Sequence, residues 1–341
     1  MRWNSLYIAG LGSRLAPPTA AREAVDAGLL DAERFKTLGY RSICVDEDTA
    51  PPDMAVQAAR VALARADVAG RELAIALHGS LWFQGLDIWP AASYVAAAAG
   101  ARSVPAYDVQ QRCNIGLGAV ELAAAHLAVS RAPAALITTA DRFAGPAIDR
   151  WNAHDFNVYG DGGTALVLSS RSGFARVLAT ATVADNTLEG QARGAETFSA
   201  ASRAGQCPVD LQARSAAYAT AHDPTQTSIR IGRVMIAARA AVLKAAGLPM
   251  ERVARMVTPA TGRLKGDYQV HHLLGVAEEM TTWDFGRTTG HVGAGDWAAG
   301  LEHLVTTRAV EPGDHVLLFG GGAGYTCTTA VVEILDRPEW T

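Results

Sequence analysis

The sequence predicts an α/β fold built from two similar halves, and two observations carry that prediction. Short apolar runs of strand length alternate with longer segments of helical period along the 341 residues, the pattern of helices layered on buried sheets. The pattern then repeats itself. A helical stretch beginning near residue 54 has an echo near residue 233, and each half closes on a Gly-rich turn running into an apolar strand.

The first apolar run, within MRWNSLYIAGLGSRLAPPTA, is interrupted by Gly10, Gly12 and Arg14, so it reads as a first strand and not as a leader peptide. Further strands are expected at Leu73–Gly79, Ala134–Ala140, Ala165–Ser170, Val253–Ala260 and His315–Gly321, each ending in small or turn residues. Helices are expected over Asp53–Asp67, Asn114–Ser130, Arg230–Ala246 and Asp296–Arg308. The echo pairs MAVQAARVALARAD (Met54–Asp67) with RVMIAARAAVLKAAG (Arg233–Gly247), and YGDGGTALVLSS (Tyr159–Ser170) with FGGGAGYTCTTAVVEIL (Phe319–Leu335). Between the halves lies a stretch rich in Thr, Ser, Gly and Gln, which reads as loop. The expected organisation is a first half over 1–175, a loop-rich insertion over 176–228 and a second half over 229–341.

Composition narrows the function classes. With 49% hydrophobic and 19% charged residues the chain is ordinary for a globular protein. Its net charge of −4 supplies no basic field for nucleic acid or an anionic membrane. Ala91–Ala101, the most apolar stretch, is too short to cross a bilayer. Cys44, Cys113, Cys207 and Cys327 are far apart and form no CxxC pair, which argues against a thiol-bound metal or a disulfide framework. A reduced, cytoplasmic protein without a metal is expected.

One cysteine occupies a chemically suggestive position. In DVQQRCNIGLGAVELAAAHL (Asp108–Leu127), Cys113 stands where a helix begins, with Ile115, Leu117, Val120, Leu122 and Leu127 on a helical period behind it. Free N–H groups and the dipole at a helix start favour a negative neighbour, so a thiol there titrates below the ~8.5 of a free cysteine. The local pattern fits a small buried cysteine equally well.

The wider sequence resembles the thiolase superfamily, specifically the branch of ketoacyl-ACP synthase III-like enzymes. MAVQAARVALARADV resembles that family's first long helix, and AYDVQQRCNIGLGAVELAAAHL its cysteine-bearing segment. DRFAGPAIDRWNAHDFNVYGDGGTALVLSS resembles the segment ending in its Phe-Gly-Asp-Gly-Ala-Gly-Ala turn, and GDHVLLFGGGAGYTCTTAVVEI its C-terminal Gly-rich strand pair. The resemblance implies a five-layered α-β-α-β-α fold, a homodimer and an acyl thioester on Cys113. It also implies an oxyanion held by the main-chain N–H groups of Cys113 and Ala323.

The sequence departs from the family's condensing pattern. The Pro-His-Gln-Ala-Asn motif maps onto MVTPATGRL, with Pro259 or Thr258 at the histidine, and Gly-Asn-Thr-Ser maps onto TGHVGAGDW, with His291 at the asparagine. Pro259 has no proton to exchange, so one of the two donors that would stabilise a malonyl-derived enolate is missing. Cys113 and His291 remain, the minimum for nucleophilic acyl transfer. Asp296 either caps the helix that it begins or turns toward the imidazole, completing a Cys-His-Asp arrangement. This substituted pattern resembles synthase III-like acyltransferases of natural-product (polyketide, antibiotic) pathways.

The expectation is therefore an acyltransferase. It takes an acyl group from a phosphopantetheine thioester, on an acyl carrier protein or coenzyme A, and passes it through Cys113 to a hydroxyl or amine of a small acceptor. No other cofactor is implied. A decarboxylating synthase and a non-catalytic partner subunit are the rivals. Trp82 and Phe83 fit either an acyl pocket or a dimer contact; His78 and Pro259 are further candidates for touching substrate. Asp161 is expected to hold its turn, and His126 to be a core or interface residue.

Overall fold

The computed structural model describes residues 1–200 and 208–340. Nine strands form the main sheet: β1 (Tyr7–Leu15), β2 (Leu73–Gly79), β3 (Ala106–Val109), β4 (Ala134–Asp141), β5 (Gly162–Ser169), β6 (Ala175–Ala184), β7 (Val253–Val257), β8 (His315–Gly322) and β9 (Thr326–Ile334). Their order is β3-β2-β4-β5-β1-β6-β9-β8-β7. A narrow seam joins the halves, because β1 pairs with β6 only through Tyr7 with Arg176 and Ile8 with Ala175.

Five helices complete the layers: α1 (Pro51–Ala66), α2 (Ala91–Ala98), α3 (Ile115–Leu127), α4 (Pro224–Ala246) and α5 (Asp296–Thr306). α1 covers the outer face of the first half through Ala58, Ala59, Ala62 and Leu63, while α4 covers the second through Val234, Met235, Ala238 and Val242. α3 and α5 lie between the half-sheets and touch strands of both. The layering is thus α-β-α-β-α, the thiolase-like fold. Each half runs strand, outer helix, strand, inner helix, antiparallel hairpin; the first half adds β3 at its edge.

Local signals explain the helix ends. α1 has prolines in its first turn, where their missing N–H groups are not needed, and stops on the left-handed Asp67. The Asp223 carboxylate accepts from the N–H groups of Thr225 and Gln226 to start α4, and Gly247 at φ 68° ends it.

The segment 176–228 is not the loop-rich insertion that its composition suggests. It opens with β6, which pairs β9 from Thr326 to Ile334, and it contains the helix Leu211–Ala221, started by Asp210 accepting from the Ala213 N–H. Thr-rich composition was misleading, because Thr180 and Thr182 sit well in a pleated strand. α4 also begins at Pro224 and not at Arg230, at the Pro-plus-Asp signal just described. His126 is exposed on α3, not in the core. Asp161 does hold its turn: its carboxylate accepts from the N–H groups of Asp46 and Phe143 and pairs with Arg150 at 2.9 Å. Among the described residues no helix is long and apolar enough to cross a membrane.

Candidate active site

The two inner helices point their N-termini into one cavity. Cys113 stands two residues before α3, and Asp296 is the first residue of α5. His291 lies in the loop before α5, where Gly290 (φ 72°) and Gly293 (φ 65°) supply left-handed turns that few other residues adopt. That loop is sewn to the first half: the His291 N–H donates to the Val158 carbonyl at 2.8 Å, and the Gly160 N–H donates to the His291 carbonyl at 3.0 Å.

These fixtures bring three side chains into line. His291 Nε2 is 3.0 Å from Cys113 Sγ, and His291 Nδ1 is 2.6 Å from Asp296 Oδ2. Asp296 is itself anchored, accepting from the Ala260 N–H at 2.7 Å and the Val292 N–H at 2.8 Å. The Ala260 carbonyl in turn accepts from the Tyr40 hydroxyl at 2.6 Å. Asp296 therefore turns toward the imidazole instead of capping α5. His291 and Asp296 are buried, whereas Cys113 keeps some exposure.

Electrostatics favours an ion pair. Burial alone would lower the His291 pKa, but the Asp296 carboxylate and the Cys113 sulfur outweigh it and hold the imidazole well above its ordinary value. Burial opposes ionisation of Cys113 as well, yet His291 and then Arg112 bring its pKa below that of a free thiol. The other described thiols behave oppositely. Burial pushes Cys44 up to about 12 and raises Cys327 too. Cys207 lies outside the described residues. Of the three, Cys113 alone has the character of a nucleophile.

Pro259 and Ala323 line the cavity with Cys113 and His291, as do Tyr159, His154 and Phe319. His78 does not: it is fully buried elsewhere, its Nδ1 2.9 Å from Thr138 Oγ1 and its Nε2 3.1 Å from Gln84 Oε1. Trp82 and Phe83 line a separate surface pocket with Pro51 and Arg142, so within one chain they do not meet Cys113. Sequence reasoning passed over Arg112 and Lys265, which also face the Cys113 cavity. Arg112 adjoins the nucleophile, a signal that was available; for Lys265 only packing reveals the position. Asp267, His271 and Glu278 have ligand atoms within 4.8 Å of one another. Glu278 is already engaged by Arg263, and His271 Nδ1 faces the Val276 carbonyl.

Known proteins share this arrangement of elements. Residues 107–186 match the family 3-oxoacyl-[acyl-carrier-protein (ACP)] synthase III, and residues 243–334 match its C-terminal counterpart. The solved structure of ChlB3, an acyltransferase, is 33% identical, with a TM-score of 0.95 over 99% of this chain and 100% of its own. The chain belongs to the synthase III-like family of the thiolase fold. A β-ketoacyl-[acyl-carrier-protein] synthase III of Mycobacteroides abscessus is 25% identical over 309 residues, covering 87% of this chain and 84% of that protein. The 3-oxoacyl-[acyl-carrier-protein] synthase III of Aquifex aeolicus VF5 shares the fold, with a TM-score of 0.77 at 20% identity over 96% of this chain and 99% of its own. As a synthase III-like protein the chain is an enzyme, either an acyltransferase or a synthase, with Cys113 at the head of its first inner helix.

Proposed function

We propose that this enzyme transfers an acyl group, without forming a carbon–carbon bond, from a phosphopantetheine thioester to a hydroxyl or amine of a small acceptor in a natural-product pathway. The donor is an acyl carrier protein or coenzyme A. The observation that carries this reading is the hydrogen-bonded chain Cys113–His291–Asp296 beside Pro259, which offers no donor to an enolate.

In the first half-reaction the Cys113 thiolate attacks the thioester carbonyl. The oxyanion is held by the main-chain N–H groups of Cys113 and Ala323, each such donor lowering the barrier by about 3 kcal/mol. The carbonyl reforms, the carrier thiolate leaves with the proton from His291 Nε2, and an acyl thioester remains on Cys113. His291 is now neutral at Nε2, with Nδ1–H fixed by Asp296. It takes the proton of the acceptor hydroxyl or amine as that group attacks, and collapse of the second oxyanion releases an ester or amide and returns the thiolate.

A homodimer belongs to this reading. It is supported by the free edge of β3, where Tyr107 is exposed, and by the neighbouring exposed residues Phe83, Leu86, Ile88 and Tyr94. The separate pocket of Trp82 and Phe83 lies in the segment that holds these residues.

The deciding experiment incubates the protein with acyl-CoA thioesters and maps the mass increase. An adduct on the Cys113 peptide, absent in Cys113→Ala, is expected, together with no carbon dioxide from malonyl-CoA. Carbon dioxide release with a new carbon–carbon bond assigns the enzyme to the condensing synthases; a folded protein without an adduct ends the acyl-enzyme mechanism.

A further inference from the structure

The cavity around Cys113 carries a charge pattern that acyl transfer as such does not call for. Arg112 and Lys265 line it, and among the described residues no Asp or Glu does. Arg112 is held at φ 55°, a left-handed conformation that residues with a Cβ rarely adopt. Its Nε is buried with no hydrogen-bond partner among the described residues. Lys265 Nζ lies 3.2 Å from the centroid of the Phe156 ring and has no ion-pair partner among the described residues. Burial brings that amine down to about 7, with Cys113 and Asp155 opposing the shift. His154, on the same wall, is kept neutral by burial and then by the charges of Lys265, His291 and Arg112. With the Asp296 carboxylate behind the imidazole, Cys113, His291 and Asp296 together carry one negative charge, so of the two cations that line the cavity one is left without a counter-charge.

A buried guanidinium N–H without a partner is costly, and a guanidinium fork matches a carboxylate with two parallel hydrogen bonds. In the proposed reaction an anion can come from the pantetheine arm, from the acyl chain or from the acceptor. The phosphate of the pantetheine arm stands at the far end of that arm from its sulfur. Arg112 is bonded to Cys113 itself, so the anion that it meets lies within a few bonds of the transferred carbonyl. We propose that Arg112 and Lys265 form a carboxylate subsite, and that the acyl group loaded on Cys113 carries a free carboxylate of its own, as a dicarboxylic acyl chain does. The identification of the acyl chain rests on the acyl-enzyme reading of Cys113; the anion subsite stands on the cavity alone.

Iodoacetate and iodoacetamide test the subsite directly, since they present a carboxylate or an amide on the same short frame. The iodoacetate-to-iodoacetamide rate ratio at Cys113 is expected to fall about tenfold in Arg112→Gln and in Lys265→Met, as loss of one charge-assisted contact predicts. Arg112→Lys should recover part of it, and circular dichroism with a thermal unfolding midpoint checks each variant for folding. Equal ratios in folded wild-type and variant proteins overturn the subsite. A second arm compares loading of succinyl-CoA with that of butyryl-CoA, and the acidic chain is expected to load at least tenfold faster. An iodoacetate preference without a succinyl preference overturns the assignment to the acyl chain and moves the carboxylate to the acceptor. Failure of the acyl-enzyme reading looks different again, because no thioester would then leave an adduct while the alkylation ratio stays intact.

Discussion

The two halves of the molecule share one plan and use it differently. Each sends an inner helix toward the cavity, yet the first half puts a thiol at the helix start, Cys113, and the second puts an imidazole and the carboxylate that anchors it, His291 and Asp296. The polar residue next to each site is also turned to a different use. Asn114 reaches across to the second half, its Nδ2 donating to Thr328 Oγ1 at 2.9 Å and its Oδ1 accepting from the Thr328 N–H at 3.0 Å. Asp296 instead collects N–H groups around the imidazole. Duplicated architecture thus supplies two equivalent helix starts, and chemistry arises from their inequality. Neither half alone holds the hydrogen-bonded chain from Cys113 to Asp296, so the arrangement exists only once the halves have docked.

Removing His291 breaks that inequality most severely. In His291→Ala only the smaller contribution of Arg112 is left to offset the burial that opposes ionisation of Cys113, and alkylation by iodoacetamide at pH 7 should fall about 10²–10³-fold. The pH dependence gives the sign. In the wild type the lowered thiol pKa keeps alkylation fast as pH drops below ~8.5, the value for a free thiol. The rate then declines where the ion pair takes up a proton. In the variant the midpoint should move above that ordinary value. A variant profile that overlays the wild type would mean that the imidazole does not stabilise the thiolate.

Asp296→Asn is the next step down. It keeps the shape of the carboxylate while removing the charge that raises the His291 pKa. An amide can also turn only one oxygen toward the donors of Ala260 and Val292. Acyl loading should drop about 10²-fold. Thermal or denaturant unfolding should report a loss of about 2 kcal/mol from donors left buried and unpaired. A loss of stability with loading unchanged would make Asp296 a brace and not a partner of the imidazole.

Much of this comparison was readable in the chain, for physical reasons that differ by residue. The outer helices echo each other because both bury an apolar stripe on a sheet, mostly alanines on α1 and larger side chains on α4, so Met54–Asp67 and Arg233–Gly247 share a helical period. Cys113 could be located because the helical period begins just after it. His291 could not be found locally, since a histidine in a Gly-rich turn resembles a surface residue; only the family pattern drew attention to it. His78 ended a strand, but the direction of its side chain depends on Thr138 and Gln84, which no local pattern specifies. The strand β6 was lost to its threonines, and Lys265 to the tertiary contact with Phe156. Periodicity reports burial on one element; which walls meet at a cavity is decided between elements.

The outer layers permit a stability comparison of the same kind. On the first half α1 lies so close to β1 that a Cβ at Gly10 would stand 2.2 Å from the Ala62 carbonyl oxygen, and one at Gly12 2.5 Å from that of Ala58. On the second half the corresponding strand β6 presents Ala179 and Ala181 to α4, with room for their methyl groups. Gly12→Ala must therefore push a helix backbone away from its strand. A loss of about 3 kcal/mol is expected in denaturant unfolding, at the upper end for overpacking because backbone cannot repack as a side chain does.

The mirror change on the second half should do far less. Ala179→Gly removes one fully buried methyl group and adds backbone freedom to the unfolded chain, effects of about 0.8 and about 0.5–1 kcal/mol. The sum of about 1.5 kcal/mol should appear as a shift in unfolding midpoint with an unchanged denaturant slope. If instead the two substitutions cost the same, the glycines of β1 would not be setting the helix-to-strand distance. The difference between the halves would then have to come from the helices themselves, α1 with its small alanines against α4 with Val234, Met235 and Val242.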